Sequence, residues 1–309
     1  MSTESTIPLP RQLAITRGNG ISFRGAAASI WALTKPDINL LIAITVSLSF
    51  CMASPSSGDF SFLRLFSCVL GTMLVSSGAA ALNQFMERRF DGLMRRTARR
   101  PVVLGGVSPL AAFIFGSCVS AVGIVYLDIF VNSLSSLIAA AALGVYLGFY
   151  TPLKRVSPLC TLVGAVSGAA PPLIGSAAAS GTLGNGAWIL YTILFLWQFP
   201  HFMAIAWMYR EDYDRAGYKI LPRSRNRRRF VALQSVFPAI LLVPCIMVPW
   251  VIGLAGSVYL AGATLLSIGF DDYAFRLALT PSSSAARRLL FASIIYLPSV
   301  LLLMVLDKR

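Results

Sequence analysis

The sequence predicts an all-α polytopic membrane protein, with nine transmembrane helices around a central cavity. Of its 309 residues, 56% are hydrophobic and only 12% are charged, which is too apolar for a soluble domain. Most of the apolar runs are as long as a helix that crosses a bilayer, which needs about 20 residues. The basic residues are concentrated in alternate connections between these runs.

We predict helices over nine runs, namely 38–54, 64–86, 104–127, 133–150, 159–179, 187–208, 231–251, 255–270 and 287–306. The eighth run is short and contains glycine. Asp91 and Asp212 each follow an even-numbered helix, four helices apart, which predicts two related four-helix halves plus a ninth helix. We expect residues 1–36 to be a mobile cytoplasmic tail and residues 37–309 to be a single transmembrane domain.

The net charge is +14, and its distribution predicts the orientation of the chain in the membrane. The N-terminal tail and every second connection together hold 23 of the 26 lysines and arginines. By the positive-inside rule this side faces the cytoplasm, and we expect the chemistry there. A bacterial inner membrane is the expected location, with a mitochondrial inner membrane as the weaker alternative. This charge distribution anchors topology, whereas nucleic-acid binding would need a basic face on a soluble module.

Two further features indicate packing rather than chemistry. The fifth run carries small residues at close-packing intervals, and Pro171 and Pro172 should kink it. The cysteines fall in apolar runs without CxxC spacing, so they read as small buried residues. They are Cys51, Cys68, Cys118, Cys160 and Cys245.

The end of the second helix carries the first candidate site. Asn83, Glu87 and Asp91 recur at every fourth residue and should therefore share one helix face. Their oxygens are hard ligands suited to Mg²⁺, which commonly bridges to substrate phosphates. The arginines that surround them match phosphate oxygens in bidentate geometry. They are Arg88, Arg89, Arg95, Arg96, Arg99 and Arg100. The alternative is that these arginines anchor topology and pair with the acids.

The end of the sixth helix carries the second candidate site, where Glu211, Asp212 and Asp214 follow an apolar run. Two acidic helix ends that face one cavity across a basic rim would hold Mg²⁺ and a diphosphate. His201 lies within the run, and a straight helix would place it on the face of Asp212, about 16 Å deeper. The alternative is a satisfied core histidine, although polar groups at membrane depth tend to be functional.

The motifs at these sites carry a family resemblance. The pattern N-x-x-x-[DE]-x-x-x-D, here Asn83, Glu87 and Asp91, resembles the first acidic motif of the UbiA-type intramembrane prenyltransferases. The M-x-R-T-x-x-R-P sequence that follows it, and W-Q-x-P-H-F at residues 197–202, are similar to the branch that farnesylates protohaem IX. Glu87 departs from the superfamily, which usually has Asp there. Glu keeps the charge but is one methylene longer, so its carboxylate would reach a metal with a different ligand geometry.

This resemblance implies the chemistry and the residues that perform it. The donor would be farnesyl diphosphate, the acceptor a vinyl group of protohaem IX, and the cofactor Mg²⁺, with haem as substrate and not cofactor. The product, haem O, is the precursor of haem A in terminal oxidases. Catalysis would fall to Asp91, Asp212 and Asn83. The implied ligand sets are Asn83, Glu87, Asp91, Asp212 and Glu211 for metal, Arg96, Arg100 and Lys154 for diphosphate, and His201 and Gln198 for haem.

Lys154 enters that set because Tyr150, Thr151 and Lys154 resemble the superfamily's YT-x-x-K segment, whereas its position alone favours snorkelling to lipid headgroups. Asp214 occupies a variable position and is not assigned as a ligand. The expected partners are membrane lipid and haem A synthase or terminal oxidase assembly proteins.

Candidates for stabilising an allylic cation are the aromatic rings of Phe85, Tyr150 and Trp197. Two other functions remain open. One is a prenyltransferase of the same superfamily with a quinone-ring or chlorin acceptor, and the other is a membrane transporter.

Overall fold

The computed structural model describes residues 23–55, 60–222 and 226–309, and the described chain is helical apart from its connections. One isolated antiparallel bridge joins Ala255 to Lys308. The helices in chain order are α1 Phe23–Thr34, α2 Pro36–Ala53, α3 Phe62–Asp91, α4 Pro109–Phe130, α5 Ser133–Val145, α6 Thr151–Leu153, α7 Cys160–Gly168, α8 Ala170–Ser180, α9 Asn185–Met208, α10 Arg210–Arg215, α11 Arg227–Val251, α12 Ser257–Leu279 and α13 Ser283–Leu306.

Within the described residues, eight helical segments are long and apolar enough to cross a membrane. Two of them are composite, since 133–153 joins α5 to α6 through a π-helical turn and 160–180 joins α7 to α8. These eight correspond to eight of the nine predicted helices. The remaining one, the eighth predicted helix, is α12, which has 23 residues but carries Asp271, Asp272 and Arg276, and these lower its hydropathy.

Two helix ends that carry charged residues differ from the prediction. Helix α3 continues to Asp91, so all three members of the first acidic motif lie on regular helix. Helix α12 continues to Leu279, so Asp271, Asp272 and Arg276 lie on a helix and not in a loop. Asp272 and Arg276 pair at 2.7 Å along it, at the i, i+4 spacing that favours such pairs. The predicted kink is confirmed, because the helix breaks at Ala169 just before the two prolines.

The predicted tail is helical in its second part. Residues 23–34 form α1, and the single residue Lys35 separates α1 from α2. The remainder of the expected tail, residues 1–22, lies outside the described residues. Residues 223–225, the first part of the basic segment 223–229, also lie outside the described residues. The second part, residues 227–229, begins α11.

Small residues bring the helices close together. A Cβ at Gly78 of α3 would lie 2.6 Å from the carbonyl oxygen of Gly116 on α4, and one at Gly175 of α8 would lie 2.4 Å from the carbonyl oxygen of Val46 on α2. Helix α8 is the most enclosed element, with every residue from Ala170 to Ala178 buried. The small residues of this segment therefore serve tight helix packing, as predicted.

Asp307 and Lys308 contact two helix ends on the side of the bundle opposite the basic connections. Lys308 Nζ donates to the carbonyl oxygens of Cys51 and Ser54, which are orphan acceptors at the end of α2. The Asp307 carboxylate accepts from the backbone N–H of Tyr259 at 2.7 Å, in the first turn of α12. Favourable partners for both helix ends thus come from two consecutive residues.

Candidate active site at the basic end of the bundle

The three polar residues of α3 lie on one face, as their spacing predicts. Asn83, Glu87 and Asp91 are 1%, 6% and 0% exposed, although they stand at the end of a helix. Burial of two carboxylates is unfavourable unless each is paired or binds a cation. The arrangement around them therefore has to supply positive charge.

Two of the predicted cations supply it. Arg100 Nη1 lies 2.6 Å from Asp91 Oδ2 and 3.8 Å from Glu87 Oε2, so one guanidinium serves both acids. Lys154 Nζ lies 2.7 Å from Glu87 Oε1. Burial alone would lower the pKa of Lys154, but the charge and hydrogen bond of Glu87, together with Tyr146 and Tyr213, more than offset it, so the pKa lies above its ordinary value. Both salt bridges are buried, and loss of Glu87 would leave Lys154 without a carboxylate partner.

A third cation, Lys35, was missed as a site residue by the sequence analysis. Its ammonium donates to Asn83 Oδ1 at 3.4 Å. Lys35 has φ +51° and ψ +67°, the left-handed conformation that lysine rarely adopts. Burial, with the nearby charges of Arg100 and Lys154, lowers the pKa of Lys35 to about 7. The available signal was its place beside Pro36 at the start of a transmembrane helix.

Lys154 and Thr151 reach the site because the chain changes helical pitch before them. Residues Tyr146–Tyr150 form a π-helical turn, a feature found often at functional sites. The ring of Tyr150 then lies 4.4 Å from Lys154 Nζ, and Tyr146 and Tyr150 are 5.3 Å apart between ring centroids. A Cβ at Gly164 would lie 2.7 Å from the Tyr150 ring, so glycine there leaves room for it. No periodicity in the sequence marks this turn.

The donor set fits a magnesium ion that is shared with a substrate. Asp91 Oδ1 is buried and has no hydrogen-bond partner within the described chain. Among all the residues that the structure describes, no group of three or more His, Cys, Asp or Glu side chains converges as a metal site. A cation would therefore take oxygens from Asp91 and Asn83, from water and from a phosphate, which is the usual coordination of Mg²⁺.

Asp212, the second predicted acid, is joined to the first site by the loop after α3. Its Oδ2 accepts from the backbone N–H of Arg96 at 3.1 Å, and its Oδ1 pairs with Arg215. In the same loop, Thr97 Oγ1 donates to the backbone carbonyl of Asp91 at 2.9 Å. Asp91 and Asp212 therefore lie on the same side of the bundle, linked by the five loop residues 92–96.

Two predicted residues are not brought into this set. The Glu211 side chain is 79% exposed and contacts Arg210 at 3.3 Å, so it does not join the other acids. The guanidinium of Arg96 lies over the rings of Tyr209 and Tyr213 and donates to the Tyr213 hydroxyl at 3.2 Å. Arg96 thus belongs to the surroundings of Asp212 and not to those of Asp91.

The two predicted haem residues face different neighbours. Gln198 is buried, and its Nε2 donates to the carbonyl oxygens of Ala165 and Leu194 at 3.1 and 3.2 Å. A Cβ at Gly168 would lie 2.1 Å from Gln198 Oε1, so this amide packs into the break between α7 and α8. These contacts commit Gln198 to helix packing, which the sequence analysis did not foresee.

His201 stacks on Trp197 with ring centroids 4.7 Å apart, and its Nδ1 lies 2.7 Å from Ser293 Oγ on α13. The helix that carries it ends at Met208, because Tyr209 leaves helical geometry with φ −108° and ψ +21°. The straight helix that placed His201 on the face of Asp212 is therefore wrong. The polar neighbour of His201 is Ser293 and not an acid.

Of the three aromatic candidates, only Tyr150 lies beside the acids and their cations. Phe85 packs on Phe113, 5.3 Å away between centroids, and Trp197 donates its indole N–H to the carbonyl oxygen of Ser293 at 2.9 Å. The π-helical turn adds Tyr146 to Tyr150, a residue that the sequence analysis did not single out.

Comparisons with known proteins agree with this arrangement. Residues 40–295 match the model of the UbiA prenyltransferase family. The protoheme IX farnesyltransferase of Solibacter usitatus is 44% identical over 283 residues, covering 89% of this chain and 97% of its own. The mitochondrial protoheme IX farnesyltransferase of Homo sapiens is 38% identical over 278 residues, covering 90% of this chain and 61% of its own.

Solved structures share the fold at low sequence identity. A structure described as digeranylgeranylglyceryl phosphate synthase in membranes superposes with a TM-score of 0.73 and 17% identity, covering 91% of this chain and 98% of its own. A UbiA homolog from Archaeoglobus fulgidus bound to GPP and Mg²⁺ gives a TM-score of 0.65 and 14% identity, covering 89% and 99%.

Proposed function

The chain belongs to the UbiA prenyltransferase family, and on that premise we propose that it transfers a farnesyl group from farnesyl diphosphate to a vinyl group of protohaem IX, in a reaction that depends on Mg²⁺. The relatives named protoheme IX farnesyltransferase support both substrates. The neighbour bound to GPP and Mg²⁺ supports the metal.

One observation carries the proposal. Two buried carboxylates stand at the basic end of an apolar bundle, and each is paired with a cation that an incoming diphosphate could take over. A diphosphate with bound cation would exchange partners with them: Arg100 and Lys154 would move to phosphate oxygens, and Asp91 and Glu87 would face the metal. The exchange keeps every buried charge compensated, which a low-dielectric site requires.

The residue roles follow from this exchange. Asn83, Glu87 and Asp91 would hold Mg²⁺ from α3, with Asp212 from the second acidic site, while the exposed Glu211 stays outside the set. Bound Mg²⁺ would neutralise the leaving diphosphate. Arg100 and Lys154 would stabilise the same negative charge, joined by Lys35 through its position at Asn83.

The transfer step uses the apolar interior. The bond between C1 of the farnesyl group and the diphosphate oxygen breaks, and the oxygen keeps the electron pair. The allylic cation that results would lie beside the ring of Tyr150 and be shielded from water. C1 then bonds to the terminal vinyl carbon of the porphyrin, a water oxygen adds to the inner carbon, and that water passes one proton to the released diphosphate. The product is a hydroxyethylfarnesyl porphyrin, haem O.

The hydrogen bonds around His201 indicate which of its ring nitrogens would be free to contact the porphyrin. Ser293 Oγ donates to the carbonyl oxygen of Leu290 at 2.6 Å, so its proton is not available to the imidazole. Nδ1 of His201 must then carry the proton and donate to Ser293. Nε2 keeps a lone pair, which suits the haem iron and would repel a propionate. We therefore assign His201 to the iron.

The decisive experiment identifies the product in cells. The protein is expressed with a terminal oxidase in a host that lacks its own haem farnesyltransferase, and the extracted haems are identified by mass. Haem O should accumulate only with the intact protein. If protohaem stays unmodified while purified protein prenylates a quinone-ring or chlorin acceptor, the acceptor assignment is wrong. Ion or solute flux through reconstituted vesicles, without any prenyl transfer, would instead favour a transporter.

A further inference from the structure

Thr151 links the π-helical turn to Asn83 of α3. It is the first residue after the π-helical turn and is 4% exposed. Its Oγ1 donates to the carbonyl oxygen of Tyr146 at 2.9 Å, the same oxygen that accepts the backbone N–H of Thr151. It also accepts from Asn83 Nδ2 at 3.3 Å, across 68 residues of sequence.

These contacts determine which end of the Asn83 amide faces the site. The single proton of the Thr151 hydroxyl is used by Tyr146, so only an acceptor lone pair is left for Asn83. Asn83 must therefore turn its NH₂ group toward Thr151 and its carbonyl oxygen away from it. On the other side, Lys35 Nζ donates to Asn83 Oδ1 at 3.4 Å, and in its ammonium form it has no lone pair that could accept from the Asn83 NH₂ group. Both neighbours impose the same orientation.

We propose that Thr151 is a positioning residue, whose hydroxyl holds the Asn83 oxygen toward the place where a cation binds. The inference rests on the proposed function, in which Asn83 Oδ1 ligates Mg²⁺ and Lys35 occupies that oxygen before the metal arrives. Without the hydroxyl, the amide can rotate and present its NH₂ group, which cannot bind a metal. The π-helical turn brings Thr151 to this point, because its extra residue rotates the following chain relative to α5.

The test compares Thr151→Val, which is nearly isosteric and lacks the hydroxyl, with Thr151→Ser, which keeps it. Purified protein is saturated with a thio-analogue of farnesyl diphosphate that does not ionise, and Mg²⁺ is titrated while the unfolding temperature is measured. Loss of a contact that orients a metal ligand weakens metal binding by about tenfold or more. The Mg²⁺ midpoint should therefore rise about tenfold in Thr151→Val and stay near the wild-type value in Thr151→Ser.

A second background separates orientation from general damage. In Asn83→Asp either side-chain oxygen can face the cation, so adding Thr151→Val should change the Mg²⁺ midpoint of that variant by less than about twofold. If Thr151→Val does not fold, Thr151→Ala takes its place in both backgrounds. An unchanged midpoint in the wild-type background, or the same tenfold rise in the Asn83→Asp background, would overturn the inference. If wild-type protein shows no Mg²⁺-dependent stabilisation by the analogue, the proposed function fails instead.

Discussion

At the scale of single residues, the acids of α3 are held by charge partners that a substrate must displace. Asp91 is fully buried, yet only one of its oxygens is paired, to Arg100. An unpartnered buried carboxylate oxygen is unfavourable by several kcal/mol unless a cation or water reaches it. Asp91 is therefore the residue whose chemistry should be most sensitive to substitution.

Asp91→Asn should abolish turnover and leave the protein folded. The amide keeps the shape but loses the charge that a metal and Arg100 require, and Glu87, 3.8 Å from Arg100, can still compensate the guanidinium. Loss of metal stabilisation worth several kcal/mol lowers the rate by about 100-fold or more. Haem O formation and unfolding temperature are measured together. Asp272→Asn, on the surface of α12, is the matched control and should retain activity. Full activity in Asp91→Asn would remove the metal role.

Lys35→Asn should weaken diphosphate binding without destabilising the fold. Asparagine tolerates the left-handed conformation of residue 35 better than lysine does, but it supplies no charge. We expect the dissociation constant for the farnesyl diphosphate analogue to rise about tenfold, the effect of losing about 1.4 kcal/mol. Binding is measured by calorimetry in detergent with saturating Mg²⁺. Lys35→Arg keeps the cation and should bind more tightly than Lys35→Asn, and equal affinity of the two would contradict the role.

His201→Gly should alter the absorption spectrum of bound protohaem. If Nε2 ligates the iron, removing the imidazole should shift the Soret band, and added free imidazole should restore it. Ser293→Ala, which removes the acceptor that orients the ring, should give an intermediate spectrum. Identical spectra for wild type and His201→Gly would show that the histidine does not ligate the iron.

At the scale of elements, close approach of helices sets where the site residues lie. Helix α8 is buried against α2, and α3 against α4, through glycines that leave no room for a methyl group. The π-helical turn is the other element-level device, since it redirects Thr151 and Lys154 toward α3. Both features bring polar side chains of separate helices within hydrogen-bond distance of one another.

Gly175→Ala should destabilise the protein, whereas Gly144→Ala should not. The new Cβ at residue 175 would overlap the Val46 carbonyl, and overpacking of this kind typically destabilises by about 1–3 kcal/mol. At residue 144 the Cβ would meet open space, and alanine favours helix over glycine. Thermal unfolding in one detergent compares the two variants. Equal unfolding temperatures would show that the α2–α8 contact is not as tight as described.

At the scale of the whole molecule, the asymmetry of charge separates a reactive end from a closed end. The acids, their cations and the Asp212 contact all lie among the basic connections. At the other end, Lys308 and Asp307 tie the C-terminus to α2 and α12. This charge distribution is the one expected if the proposed diphosphate site faces one side of the membrane.

The proposed orientation, with the basic end in the cytoplasm, predicts which residues an impermeant thiol reagent reaches. In a variant without the native cysteines, Leu104→Cys lies in a basic connection and is 69% exposed, while Thr182→Cys lies in an opposite one and is also exposed. In intact bacterial spheroplasts the reagent should label only residue 182, and in inverted vesicles only residue 104. The reverse pattern would place the proposed active site outside the cytoplasm.

The sequence by itself determined the membrane class, the approximate helix positions and the shared face of Asn83, Glu87 and Asp91, and the family resemblance drew attention to Arg100 and Lys154. It could do so because hydrophobic runs and helical spacing act over a few residues, and because Arg100 and Lys154 lie in segments that resemble the family's motifs. Only the tertiary structure decided that Lys35 and Thr151 contact Asn83, that Arg96 serves Asp212, that Gln198 packs between helices and that Glu211 stays at the surface. These contacts join residues far apart in the chain, and their geometry depends on a pitch change and a helix break that no local pattern encodes.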